Sequence, residues 1–189
     1  MIITLLALST FSAFLLIPRL VLFLEKRSIL LFAIAFAALI PPIPIVLYLN
    51  DILPDSGSWN LFFALAPFIY IANTCLSSSA IIRESMLGDI SDEVELESKI
   101  GQQGLMYASS SLIGKLNTGL GILVAGLALE FIGFPQGSEV LPNDGQIFSL
   151  AMVQGPFVAV MMIIPFGIFS FYKIDRQRHR NILSQLEVR

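Results

Sequence analysis

The chain has 189 residues, 56% of them hydrophobic and 13% charged, with a mean hydropathy of +0.81. A soluble domain carries about 25% charged residues, so a soluble globular protein is excluded. The net charge of -3 is small and its carriers fall between apolar blocks, which speaks against a nucleic-acid partner.

The apolar blocks are long and unalternating, so the predicted fold is all-α, a polytopic transmembrane bundle of about five helices over residues 1–172 rather than an outer-membrane barrel. Residues 1–17 open at Met1 without a cationic region or a small-residue cleavage site, and are expected to be a retained membrane helix rather than a secretory signal. The second helix is expected over 28–49, broken by Pro41, Pro42 and Pro44. The third, over 59–82, is interrupted by Pro67 and holds Asn73, Thr74 and the sole cysteine, Cys75. One cysteine excludes an internal disulfide, and its apolar setting makes it a small packing residue. The fourth runs over 104–131. The fifth, over 146–172, contains Pro156, Pro165 and Gln154. Freed backbone groups at such prolines are tolerated in lipid only where neighbouring helices or a wet cavity satisfy them, and kinked helices around a cavity suit a transporter.

The connections alternate in charge. Arg19, Lys26, Arg27, Arg83, Lys99, Lys173, Arg176, Arg178, Arg180 and Arg189 fall in one set of connections and in the basic tail 173–189, whereas the other two connections contain no Lys or Arg. Cationic loops resist translocation, so the N-terminus is expected outside and the tail in the cytoplasm of a multi-pass cell-membrane protein. The uncharged-cation side carries Asp51, Pro54, Asp55, Gly57, Pro135, Gly137, Glu139, Pro142, Asp144 and Gly145, which is the chemistry of tight hairpin turns.

The remaining cation, Lys115, lies about 4 Å from the middle of the 104–131 helix. Placing a Lys there costs about 2.5–3.5 kcal/mol on insertion scales. At 100° per residue Tyr107, Ser111, Gly114, Lys115, Thr118 and Gly121 share one face, and Leu112, Leu116, Leu120 and Leu123 take the other. The leucines are expected to meet lipid and the small face to admit other helices, so Lys115 is expected to point into the bundle. It is either a structural Lys bonded to carbonyls freed by kinks or the lining of a solute or cation path. Apart from Glu130, at the end of the same helix, the apolar blocks contain no acidic residue, so its counter-ion is not in these helices. Asn73, Asn117 and Gln154 are read as interhelical hydrogen-bonding groups, with Asn73 the first choice among them for a cavity position. His179, alone in the basic tail, receives no role.

The stretch SMLGDISDEVELESKIGQQGLMYASSSLIGKLNTGLGILVAGLALEFIGFP resembles the glycoside-pentoside-hexuronide:cation symporters, the melibiose permease relatives within the major facilitator superfamily. That family has an acidic motif in the loop before its eleventh helix, and a Lys central to that helix. Asp89, Asp92, Glu95, Gly104 and Lys115 stand at matching positions; Gly88, Glu93, Glu97, Ser98, Lys99, Gly101 and Gln103 depart from the pattern. LPDSGS, GFP and the tail YKIDRQRHRNILSQL are similar as well, so the resemblance covers almost the whole chain. It implies that the five helices correspond to the eighth to twelfth of a twelve-helix transporter, with the acidic cation ligands on N-terminal helices or a partner chain outside this sequence.

The expected function is secondary active transport of a small, sugar-like solute coupled to Na+ or H+, with Lys115, Asn73, Ser111, Thr118 and Gln154 along the solute or cation path and no other cofactor or metal. The acidic stretch 83–103 is read either as a solvated face, with Glu95 and Lys99 as an i,i+4 pair, or as a source of salt bridges to neighbouring loops. A non-transport scaffold or assembly subunit, using the small face to bind a partner helix, is the alternative. An enzyme is not expected, because no nucleophile has a base at hand within the membrane.

Overall fold

A computed structural model describes residues 1–54, 58–135 and 143–187; the turn residues expected at Asp55, Gly57, Gly137, Glu139 and Pro142, and Arg189, lie outside the described residues. Described residues form helices and turns, without strands. Five segments are long and apolar enough to cross a membrane: Ile2–Phe23, Lys26–Leu49, Trp59–Ser98, Gln103–Ile132 and Gly145–Ser170.

Helix α1 (Ile2–Phe23) continues past the expected end at residue 17. Pro18 removes one backbone donor, but the Leu-Val-Leu-Phe run that follows keeps helical geometry until extended Leu24. Only Leu24 and Glu25 separate it from α2 (Lys26–Leu39). The second span is split at Ile40 and Pro41, and resumes as α3 (Pro42–Leu49) with a proline in its first turn, where no donor is needed.

Helix α4 (Trp59–Ser98) starts at Ser58, whose hydroxyl accepts from the Leu61 amide at 3.2 Å, and ends at Lys99 in the left-handed region, φ 62°. Its 40 residues make about 60 Å, twice the hydrocarbon thickness. The stretch after residue 82, expected as a loop, is therefore helix to residue 98. Ile82, Met86, Asp89 and Ser91 are buried there, so tertiary packing stabilises an extension that its polar composition alone does not demand.

Helix α5 (Gln103–Ile132) ends in Gly133, φ 68°, where a side chain would be strained. Helix α6 (Asp144–Met152) begins with a reciprocal cap: Asn143 accepts from the Gln146 amide at 2.8 Å, and Gln146 accepts from the Asn143 amide at 2.9 Å. A π-helical turn, Val153–Phe157, contains Pro156 and leads into α7 (Val158–Met161) and α8 (Ile163–Ser170). At this turn the buried Gly155 faces Ile45 and the Pro42 backbone of α3, and a Cβ would collide with the Ile45 side chain. The tail is not extended: α9 (Arg176–Glu187) folds back onto α4 and buries Ile182.

The core lies at the end where the cations cluster. Ile17 of α1, Ile29, Leu30 and Ile34 of α2, and Ile82 and Met86 of α4 form it, with Phe169 and Tyr172 packed alongside. Helix α5 contributes no buried residue.

Candidate transport site and cation-end hub

Lys115 is exposed on α5. Among the described residues no helix covers that face, so this chain alone does not form the bundle into which Lys115 is expected to point. A Cβ built at Gly104, Gly114, Gly119, Gly121 or Gly126 would meet nothing within 4 Å. The small residues thus leave room for close helix approach that this chain itself does not fill.

Beside this face an open cleft of about 1020 Å³ lies between α4, the first half of α5 and the end of α8. Ser111 lines it with Ser109, Ser110, Tyr107 and Asn117, polar groups set in a mostly apolar wall that includes Met86, Leu87, Ile90 and Phe169. Lys115 and Thr118 do not line it; the Thr118 hydroxyl donates back to the Gly114 carbonyl at 2.9 Å. Gln154 is exposed at the π-helical turn, away from both.

Asn73 occupies a seam between α1 and α4. Its amide nitrogen donates to the Ser9 hydroxyl at 2.6 Å and approaches the Thr10 hydroxyl at 3.2 Å and the Leu6 carbonyl at 3.3 Å. Thr74 donates to the Tyr70 carbonyl at 2.8 Å, Thr10 and Ser77 share a bond at 3.2 Å, and Ser12 pairs with Tyr70. The cavity position favoured for Asn73 is corrected accordingly: its two amide hydrogens are spent joining helices, and it does not line the cleft.

The acidic stretch divides. Asp89, 5% exposed, receives Lys26 Nζ on both carboxylate oxygens at 2.7 and 2.8 Å. The Tyr172 hydroxyl donates to Asp89 Oδ2 at 3.2 Å, and His179 Nδ1 stands 3.6 Å from Oδ1, buried and beyond hydrogen-bond reach. A buried carboxylate is costly unless paired and hydrogen-bonded, and here it is both. Burial, followed by the adjacent Asp89 charge, pushes the Tyr172 phenol well above its ordinary range. Arg178 bonds to Glu93. Asp92 accepts from the Gln103 amide at 3.2 Å, tying α5 to α4. Glu95 forms no ion pair with Lys99 among the described residues and instead lies 3.6 Å from where a Gly101 Cβ would stand. Gly104 is exposed, and a Cβ added there would meet nothing within 4 Å.

Arg176 completes this end. Its guanidinium donates to the Val21, Leu22 and Leu24 carbonyls, which the end of α1 leaves without helical partners, and it stands 3.6 Å from Glu25. From the sequence Lys26 and Arg176 counted only as orientation charges, His179 received no role and Tyr172 was not singled out, since each lies far along the chain from the group it meets and no local spacing marks such a pairing. Among the described residues no group of His, Cys, Asp and Glu side chains is arranged to hold a metal ion.

The family described as MFS/sugar transport protein matches residues 1–176. A relative named an uncharacterized symporter, from Synechocystis sp. strain PCC 6803, is 29% identical over 141 residues, 72% of this chain and 25% of that protein. The chain therefore spans about a quarter of the length of that curated relative. No solved structure matches. With its apolar spans and a family match over nearly its whole length, the chain belongs to the MFS/sugar transport protein family of multi-pass membrane transporters.

Proposed function

We propose that this chain is part of a secondary active transporter that moves a sugar-like small solute together with Na+ or H+. It works in the cell membrane, N-terminus outside and the α9 end in the cytoplasm. The observation that carries this reading is the uncovered face of α5, where Lys115 and open glycine positions stand beside a cleft that Tyr107, Ser111 and Asn117 help to line. An ammonium at mid-membrane needs an acidic partner or water. Because the apolar blocks 1–17, 28–49, 59–82, 104–131 and 146–172 offer no such acid beyond Glu130, further helices supply it and close the cavity, either in the same polypeptide or as a partner chain. Inverted repeats with the solute site at their interface give the same geometry in secondary transporters generally. Glycines and hydroxyls then serve two ends at once, close helix packing and hydrogen bonds to a polyhydroxylated solute.

The test is uptake of a labelled sugar panel into vesicles bearing the complete transporter, with and without imposed Na+ and H+ gradients. Gradient-driven accumulation that falls by roughly two orders of magnitude in Lys115→Ala supports the proposal; accumulation indifferent to both gradients, or to that substitution, sinks it. The same uncovered face also suits a scaffold that binds a partner helix. That reading takes over if Lys115→Ala abolishes co-purification of a partner chain while no solute is taken up.

A further inference from the structure

We propose that Tyr107 is a stacking platform for a pyranose ring, and that it sets a preference for cyclic sugars over open-chain polyols; this rests on the transport reading above and adds a specificity-determining residue to it. The cleft beside α5 measures about 1020 Å³, which is room for a sugar. Its lining follows α5 from Leu105 to Asn117, about 18 Å of helix axis, and so passes the level of Lys115. Tyr107 stands about 12 Å from Lys115 toward the cation end.

Three aromatic residues line the cleft, and they are used differently. Phe169 and Tyr172 pack against the core of α1, α2 and α4, and the Tyr172 hydroxyl is spent on Asp89. Tyr107 is 42% exposed, yet its far end is held: the hydroxyl donates to the Glu84 carbonyl of α4 at 3.4 Å. A Cβ at Gly88 would stand 3.1 Å from that hydroxyl, so the glycine leaves the anchorage open. A ring anchored in this way gives up little freedom when a ligand covers it. Ser111 and Gly114, four and seven positions on, share its face of α5, so a hydroxyl and an open space follow the ring along the cleft. One face of a pyranose is a patch of C–H groups, which an aromatic face attracts by dispersion and through its quadrupole, while the ring edge carries hydroxyls. Ser110, Ser111 and Asn117 supply partners for those hydroxyls within an otherwise apolar wall. An open-chain polyol offers the same hydroxyls without a rigid C–H face, so it gains from the serines and the asparagine but not from Tyr107.

The experiment is equilibrium dialysis of the purified complete transporter against the labelled sugar that it accumulates best and against the alditol of the same carbon chain. The wild type is expected to bind the pyranose about 10-fold more tightly, and Tyr107→Ala to lose most of that ratio, the scale of one ring face withdrawn from contact. Tyr107→Leu, which fills the space without an aromatic face, should lose it as fully. Tyr107→Phe keeps the ring and drops the bond to Glu84, so its ratio should stay within about 3-fold of wild type. Ser111→Ala should weaken both solutes alike, because each has hydroxyls to lose. Circular dichroism checks that the variants remain folded. A wild-type ratio near one, an unchanged ratio in Tyr107→Ala or Tyr107→Leu, or an equal loss in Tyr107→Phe overturns the platform. Any of these beside gradient-driven uptake by the wild type leaves the transport reading intact, whereas a wild type that neither binds nor accumulates a sugar overturns both.

Discussion

Helices α4 and α5 follow one another in the chain and are its two longest, at 40 and 30 residues, yet they are used in opposite ways. Helix α4 is held on several sides, by a polar seam to α1, by apolar side chains of α2 and, through Asp89 and Glu93, by Lys26 and the tail. Helix α5 touches α4 and α6 lightly and buries none of its residues. In lipid there is no hydrophobic force between helices to correct this, because lipid tails are as apolar as leucine. A membrane helix packs only where small residues or polar groups meet a complementary partner. Helix α4 finds those partners within this chain, while α5 carries the small residues and a cation but not the partner.

The sharpest way to break the comparison is at Asp89. Replacing Lys26 by Met strands a buried carboxylate, and a loss of about 3–5 kcal/mol in unfolding free energy is expected, read from thermal or denaturant unfolding in detergent. The double replacement Lys26→Met, Asp89→Leu should recover most of that loss; if it does not, the pair does more than neutralise itself. Next comes core packing. Ile82→Ala, at a position with 0% exposure, should cost about 2–5 kcal/mol in the same measurement, whereas Leu116→Ala on α5 should stay within about 0.5 kcal/mol. Equal losses at the two sites would mean that α5 is covered in the purified protein.

Smaller effects sharpen the picture. Asn73→Ala removes the donors that join α4 to α1, for an expected loss of about 0.6 kcal/mol and at most about 1.7 kcal/mol, the average and maximum for interhelical hydrogen bonds in membranes. Gly121→Ala fills open space on α5 and should stabilise the isolated chain by up to about 1 kcal/mol through helix propensity. The same substitution should lower uptake by the complete transporter if another helix closes against that face. Tyr172 gives the smallest signal. Its folded-state pKa is raised, so its contribution to stability is fully present below the ordinary phenol value near pH 10 and is lost as pH rises beyond it. Ultraviolet titration should show one late-ionising tyrosine that disappears in Tyr172→Phe, and stability above pH 10 should fall less steeply in that variant.

Much of this architecture was legible without coordinates. Long apolar blocks reported the five spans because water-free lipid forces every backbone group into a helix. The small residues along α5 and the central Lys115 suggested a packing face, and that face stands open among the described residues. Boundaries were less legible. Pro18 suggested an end that α1 overrides, and the acidic run after Ile82 suggested a loop because propensity and charge are local quantities, whereas its helical extension rests on burial against α2 and α9.

Composition and periodicity thus determined by themselves that this is an all-helical membrane chain, since the requirement to satisfy backbone groups in lipid acts on each segment separately. The tertiary structure alone decided which polar groups meet. It joined Asp89 to Lys26 and Tyr172, spent Asn73 on a seam with Ser9 and turned the tail into a capping helix. These contacts pair residues more than sixty positions apart, and side-chain hydrogen bonds depend on distances of a few tenths of an ångström that no sequence spacing encodes.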